Sequence, residues 1–301
     1  MKLILHAGTH KTASTSFQQN CFSNYNYLND LGIHYPKLNF LPQDNILKKE
    51  LLIKKIKPFN LQQHSFISRF INKGFINDLK KFLLEAFESA KDINANYVLC
   101  SGEDMENCLV DLLLGVEIVN QAKEIGFKSV EWIFVKRKAV DYYFSLYSQL
   151  AEQRITCDPI TMIESIESNG FLAAQNIHGT FYYVFDLIDR SKKLEKFTKS
   201  KVSIFKFNDF INISPGYNLI EKYSPPQSDL SFLNKNIKLN TGIISEDEIE
   251  IKHLFNYLSM THSKENYLKK KIIYDQILSR RKHVINSGIK KNIESKLSIF
   301  D

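Results

Sequence analysis

Short apolar runs alternate along this chain with longer mixed stretches, and the alternation predicts strands separated by helices. Leu3–His6 reads as the first strand, and a helix follows over about 14–31. Residues 32–74 are polar, aromatic and irregular, interrupted by Pro36, Pro42 and Pro58. A helix near 76–90 then leads to a strand at 97–100, and a helical stretch ending near Gly126 leads to a strand at 130–135. Beyond it the pattern predicts a helix over 140–152, further helices over roughly 160–197, a fourth strand at 202–207, and a mostly helical remainder from Ser245. Strands alternating with helices imply an α/β fold: a parallel sheet flanked by helices, with a helical C-terminal part and the ligand site at the carboxyl ends of the strands. There is no internal repeat or low-complexity tract, and Ser224-Pro225-Pro226 is the single candidate break, so one domain over 1–301 is expected.

The first strand runs directly into Ala7-Gly8-Thr9-His10-Lys11-Thr12-Ala13-Ser14-Thr15-Ser16. A Gly that turns the chain, a Lys, and a cluster of hydroxyls opening a helix make a phosphate cradle. Free N–H groups at a helix start carry partial positive charge, hydroxyls add donors, and Lys11 aims a full charge at the same anion. A Walker A loop needs Gly at positions occupied here by Leu5 and His10, so that motif is excluded. The plain alternative is a strand-to-helix turn with a Ser/Thr cap, which needs one hydroxyl and leaves the cluster Thr12, Ser14, Thr15 and Ser16 unexplained.

This loop resembles the phosphosulfate-binding loop of the sulfotransferase family, especially bacterial members reading roughly His-x-Gly-x-His-Lys-Thr-Gly-Thr-Thr-Ser-x-Gln. The chain departs from that pattern at Ala13, where Gly is commoner, and at Ser14, where Thr is commoner. Two further segments fit the resemblance. Arg137 follows the third strand and Ser145 lies eight residues on, inside the next helix; in the family, an Arg and a Ser at this spacing bind the 3′-phosphate of 3′-phosphoadenosine-5′-phosphosulfate (PAPS). Arg suits that task because it grips phosphate bidentately. Cys100-Ser101-Gly102-Glu103-Asp104 places an acid just past a strand end, where bacterial members show Ser-Ser-Glu. Glu103 is thus the candidate general base, and Asp104 is read as a helix-start carboxylate.

The resemblance implies a P-loop-like sulfotransferase fold and transfer of a sulfuryl group from PAPS to a hydroxyl or amine, with a surface or capsular glycan as the first acceptor class. It implies that Lys11, Thr12, Ala13, Ser14, Thr15 and Ser16 cradle the 5′-phosphate. Lys11 and Glu103 would be catalytic, and no metal ion would be needed. Two other classes stay open: a P-loop-like nucleotide kinase or NTPase, and a non-catalytic nucleotide-binding protein.

Composition changes this picture little. The 301 residues are 44% hydrophobic, enough for a substantial core. The net charge of +7 and pI near 9.0 suit an anionic ligand. Most lysines, including Lys269–Lys271 and the run 280–282, read as solvated helix faces, so no nucleic-acid partner is expected. No apolar run reaches the roughly eighteen residues of a membrane span, and the N-terminus lacks a secretory pattern, which points to the cytoplasm. Cys21, Cys100, Cys108 and Cys157 lack metal-ligand spacing and read as reduced thiols. His6 is read as packing ahead of a nucleotide contact, His10 as either loop shaping or an acceptor-side group, and Gly32-Ile33-His34-Tyr35-Pro36 as a structural turn. His64, His178, His253, His262 and His283 show no ligand spacing, and Asn236 opens a weak late motif of uncertain role. Nothing in the sequence fixes the oligomeric state.

Overall fold

The computed structural model describes residues 1–40, 64–152, 159–176, 179–233 and 287–301, with positions 42, 43, 45, 48, 49 and 155. These fall into two compact units, 1–137 with 181–240 and 138–180 with 241–301.

The first unit is built on a five-stranded parallel sheet in the order β2-β3-β1-β4-β7. The strands are β1 (Lys2–His6), β2 (Ile33–His34), β3 (Tyr97–Ser101), β4 (Ser129–Lys136) and, after two strands outside this sheet, β7 (Lys201–Lys206). β1 pairs with β3 on one edge and β4 on the other, in register from Lys2↔Tyr97 and Lys2↔Ser129 to His6↔Ser101 and His6↔Ile133. A strand paired on both edges and covered on both faces must be apolar throughout, and Leu3, Ile4 and Leu5 are fully buried. One face carries Ile4, Leu99, Ile133 and Val135 into a core with Phe17 and Cys21 of α1 (Ser14–Ser23), Leu28 of α2 (Tyr25–Asp30), and later helical residues Phe210, Leu219 and Ile220. Successive strand residues alternate faces, so Leu3, Leu5, Val98, Trp132 and Phe134, also buried, cover the other side.

The strand expectations hold to within a residue or two. The first helix is broken at Asn24, whose φ/ψ of −110°/28° leaves the helical range. Within 32–74 the structure adds the edge strand β2 and α3 (Phe66–Asn72), followed by α4 (Ile76–Asp92). Helices were expected throughout 160–197; instead α7 (Pro159–Asn169) ends at Gly170, with φ 71°, and β5 (Phe171–Asn176) and β6 (Gly179–Val184) precede α8 (Leu187–Thr198). Left-handed Gly170 closes the helix, and the aromatic and β-branched run Thr180-Phe181-Tyr182-Tyr183-Val184 favours extended backbone.

In the second unit, the Asp301 carboxylate accepts the Ala139 N–H at 2.6 Å, at the start of α6 (Ala139–Glu152), and Lys296 of α11 (Ser287–Leu297) pairs with Glu167 at 2.6 Å. Except for α11, the C-terminal helices expected from Ser245, with their Lys and Arg runs and the Asn236 motif, lie outside the described residues, as do Cys157, His178, His253, His262 and His283. Among the described residues no helix is long and apolar enough to cross a membrane.

A buried carboxylate locks three strands of the main sheet. Glu131 on β4 accepts from Lys222 Nζ at 2.7 Å, Ser203 Oγ at 2.8 Å and Lys2 Nζ at 3.1 Å. Burial works against its charge, but the bonds from Lys222, Ser203, Lys2 and Tyr223 outweigh it and carry the carboxyl down to about 2. A depressed carboxyl stabilises the fold above its unfolded pKa and loses that contribution as pH falls through its folded one. Glu131→Gln is therefore expected to cost about 2 kcal/mol at pH 7. The deficit should shrink between about pH 4.5 and pH 2, as read by urea denaturation across that range.

Candidate functional site

β1 delivers the chain at His6 to the carboxyl edge of the sheet, where its own connection runs toward the β2 edge while that of its neighbour β3 runs the other way, to β4. Crevices at such switch points are where open α/β sheets bind ligands. The exit is fixed from both sides: Ala7 N–H donates to Ile133 O at 2.9 Å, and Gly102 N–H to His6 O at 3.0 Å. The Thr9 hydroxyl adds a bond to Val135 O at 2.7 Å. Between Gly8 and Ala13, left-handed residues are interleaved with ordinary ones, with φ of 30° at Gly8, 62° at Lys11 and 64° at Ala13. Such alternation builds a concavity lined by backbone N–H groups. Gly8 is required there, because a Cβ would lie 2.6 Å from Ser14 Oγ.

α1 begins immediately after this loop, and its N-cap is left-handed Ala13, with no side-chain hydrogen bond closing the helix start. The alternative of a hydroxyl-capped turn therefore fails, and the helix presents its first-turn N–H groups uncapped by any side chain. The Thr12 hydroxyl donates within the loop to Thr9 O and lies 3.5 Å from Ser14 Oγ. Ser14 and Ser16 are buried, Thr15 is exposed, and Lys11 is half-buried.

The loop after β3 brings carboxylates to the same place. Glu103 opens a 3₁₀ run, Glu103–Leu109, and pairs with the His10 ring, Nδ1 to Oε2 at 3.2 Å. A hydrogen bond to Ser14 and the charge of Lys11 also act on it. Burial opposes its charge, but His10, Ser14 and Lys11 together hold its carboxyl below the usual range. His10 responds in the opposite sense: burial disfavours its cation, yet Glu103, with Glu106 and Asp104, carries the ring up to about 9. At neutral pH the pair is thus imidazolium and carboxylate.

Sequence reasoning missed Glu106. It is fully buried, and its Oε2 accepts the His10 N–H at 3.0 Å while Oε1 accepts the Val184 N–H of β6 at 2.7 Å. Residues three apart eclipse in a 3₁₀ helix, so the spacing of Glu103 and Glu106 was the available signal. Desolvation raises its carboxyl to about 7 despite His10 and the two N–H bonds.

Arg137, at the end of β4, donates from NH1 to Lys11 O at 2.9 Å and stacks over the Phe207 ring at 4.9 Å. Lys11, Ser14, Glu103 and Arg137 therefore gather around one loop. Ser145 lies half-buried on α6 in the second unit. His6 is neutral packing: burial, against the charge of Glu103, drops it to about 3, its Nδ1 sits 2.8 Å from Ser101 Oγ, and its ring stacks on Phe210 at 5.3 Å. His64, also buried, accepts the Ser101 N–H at Nδ1 (2.9 Å) and donates from Nε2 to Pro36 O (2.8 Å), supporting the strand end before Glu103. Cys21, Cys100 and Cys108 are buried free thiols. Among the described residues no three His, Cys, Asp or Glu side chains are grouped to hold a metal ion.

Two cations and a helix start converge on the loop, with an ionised carboxylate beside them. Such an arrangement has the chemistry to bind an anion and to accept a proton from a group delivered next to it. Set against known proteins, the chain matches no family model, and no curated protein or solved structure matches it significantly.

The left-handed conformation of Ala13 carries a cost that Gly does not pay. Ala13→Gly is expected to raise stability by about 0.5–1 kcal/mol, the relief of strain exceeding the added unfolded-state entropy. Chemical denaturation measures it, and the anion affinity of the loop should stay within about twofold, since only its backbone N–H groups take part.

Proposed function

We propose that this protein is a PAPS-dependent sulfotransferase that moves a sulfuryl group to a hydroxyl or amine of an acceptor, with a glycan as the first class to test. The observation that carries the reading is the meeting of Lys11 and Glu103 at an uncapped helix start beyond the central strand. Lys11 follows a glycine-turned loop of left-handed backbone, and that order of parts also supports a P-loop-like sulfotransferase form of the sheet.

In this reading the N–H groups from Lys11 to Thr15 and the hydroxyls of Ser14 and Thr15 bind the 5′-phosphate. Thr12, whose proton is committed to Thr9 O, shapes the cradle. Arg137 carries the charge for the 3′-phosphate, already oriented by Lys11 O and Phe207; the share of Ser145 rests on sequence spacing alone. The acceptor oxygen attacks sulfur, the bond between sulfur and the 5′-phosphate oxygen breaks, and its electron pair leaves with that oxygen. Lys11 stabilises the charge developing there. Glu103 takes the acceptor proton. As the new S–O bond forms, that proton becomes strongly acidic, so a carboxylate of lowered basicity suffices.

Calorimetric titration with 3′,5′-adenosine bisphosphate, against ADP with Mg²⁺, is the first test. Metal-independent binding of the bisphosphate, weakened about tenfold or more by Arg137→Ala, is expected. Binding of ADP only with Mg²⁺ overturns the reading in favour of a kinase-like protein. Lys11→Ala should cut turnover by about two orders of magnitude or more while changing bisphosphate affinity far less. Loss of bisphosphate affinity alone, in a protein with no turnover, would mark a binding protein.

A further inference from the structure

One buried group at this site has no part in the chemistry above. Glu106 is inaccessible to solvent, and an ionised carboxylate in that position is retained only if bonded on both oxygens. Each oxygen receives a backbone N–H, one from His10 at 3.0 Å and one from Val184 at 2.7 Å. The first bond holds the residue immediately before Lys11; the second anchors the same carboxylate to β6. Neighbouring Asn107 makes a like contact two residues earlier on β6, accepting the Tyr182 N–H at 3.0 Å. The His10 ring then lies between two acids, 3.2 Å from Glu103 through Nδ1 and 4.0 Å from Glu106 through Nε2.

We propose that Glu106 is a positioning residue, which fixes the anion loop at His10 and, through the His10 ring, aims the Glu103 carboxylate into the site. Above about pH 7, where Glu106 is ionised, the chain of groups is carboxylate, imidazolium, carboxylate, and its order assigns the roles. Glu106 uses its oxygens on backbone amides, so it cannot turn toward a substrate. The buried His10 ring is flanked by both acids and lies nearer Glu103. Glu103, the one acid of the pair that is a quarter exposed, is left facing the loop beside Ser14 and Lys11. Consuming the His10 N–H also withdraws that amide from the cradle, and the next along the chain is that of Lys11.

The groups that act on the His10 ring are Glu103, Asp104 and Glu106 from the 3₁₀ run, with the Tyr183 ring of β6 packed 4.9 Å away; Lys11, next in the chain, acts on Glu103. Those that act on Glu106 are His10, Glu103 and the Val184 N–H, and Glu106 in turn acts on Tyr183. Three acids outweigh the cost of burial and keep the ring cationic, so removing one acid must lower its proton affinity.

The consequence for turnover rests on the sulfuryl-transfer reading, but the test does not. Nuclear magnetic resonance of ring-labelled histidine follows His10, assigned by its loss in His10→Gln. In the native protein the ring should stay protonated at pH 7.5 and titrate with a midpoint near 9. Glu106→Gln should lower that midpoint by about half a unit or more, roughly a threefold loss of proton affinity, whereas a residue that merely fills space would leave it unmoved. A midpoint unchanged in Glu106→Gln overturns the proposal. If that variant does not fold, hydrogen exchange of the His10 amide in the native protein decides: protection comparable to that of the sheet supports the bond to Glu106, and exchange as fast as an open loop overturns the proposal. Failure of 3′,5′-adenosine bisphosphate to bind the native protein would defeat the proposed function and leave this titration intact.

Discussion

The placement of β1 governs everything else in the site. Because it is bonded along both edges and buried on both faces, it has no freedom to shift, and the residue after it must leave from the middle of the sheet. The bonds from Ala7 to β4 and from Gly102 to His6 make the exit a fixed point shared by three strands. A loop starting there inherits the precision of the sheet, which is what a site built on soft backbone otherwise lacks. The left-handed residues at Lys11 and Ala13 are tolerated because both ends of the loop are held.

The electrostatics follow from this crowding. Lys11, Arg137 and the His10 cation face Glu103, Glu106 and Asp104 across one loop, so the site is nearly balanced in charge. Balance matters for an anion site: an unopposed cluster of cations would bind any phosphate, while paired ones keep the field short-ranged and directional. Division of labour is visible among the acids. Glu106 is bound by amides, Glu103 by an imidazolium, and Asp104 adds charge.

Much of the sheet was legible in the sequence, because runs such as Leu3–His6, Val98–Cys100 and Trp132–Val135 are buried on both faces and read as continuous apolar segments. The loop was legible because its chemistry is local: Gly8, Lys11 and the hydroxyls are neighbours in the chain. β2 escaped because two residues carry no period, and β5 and β6 escaped because their alternation lies between strong helical patterns. The His10–Glu103–Glu106 chain was illegible for a different reason. His10 and Glu106 are 96 residues apart, and only the parallel pairing of β1 with β3 brings their loops together. The left-handed state of Ala13 left its one trace in the sequence as the departure from a commoner Gly.

The bond from Arg137 to Lys11 O closes a loop of 126 residues, and this sets when the site comes into being. Parallel sheets form through contacts distant in sequence, whose closure entropy slows folding. During synthesis, β1 emerges first and waits for β3 and then β4 before either edge is paired. The helix after Ala13 can form early, but the concavity at its start cannot take shape until the chain has been made past residue 137. Assembly of the candidate site therefore waits on the pairing of β1 with β4, 126 residues after Lys11 is made, and precedes completion of the sheet by β7.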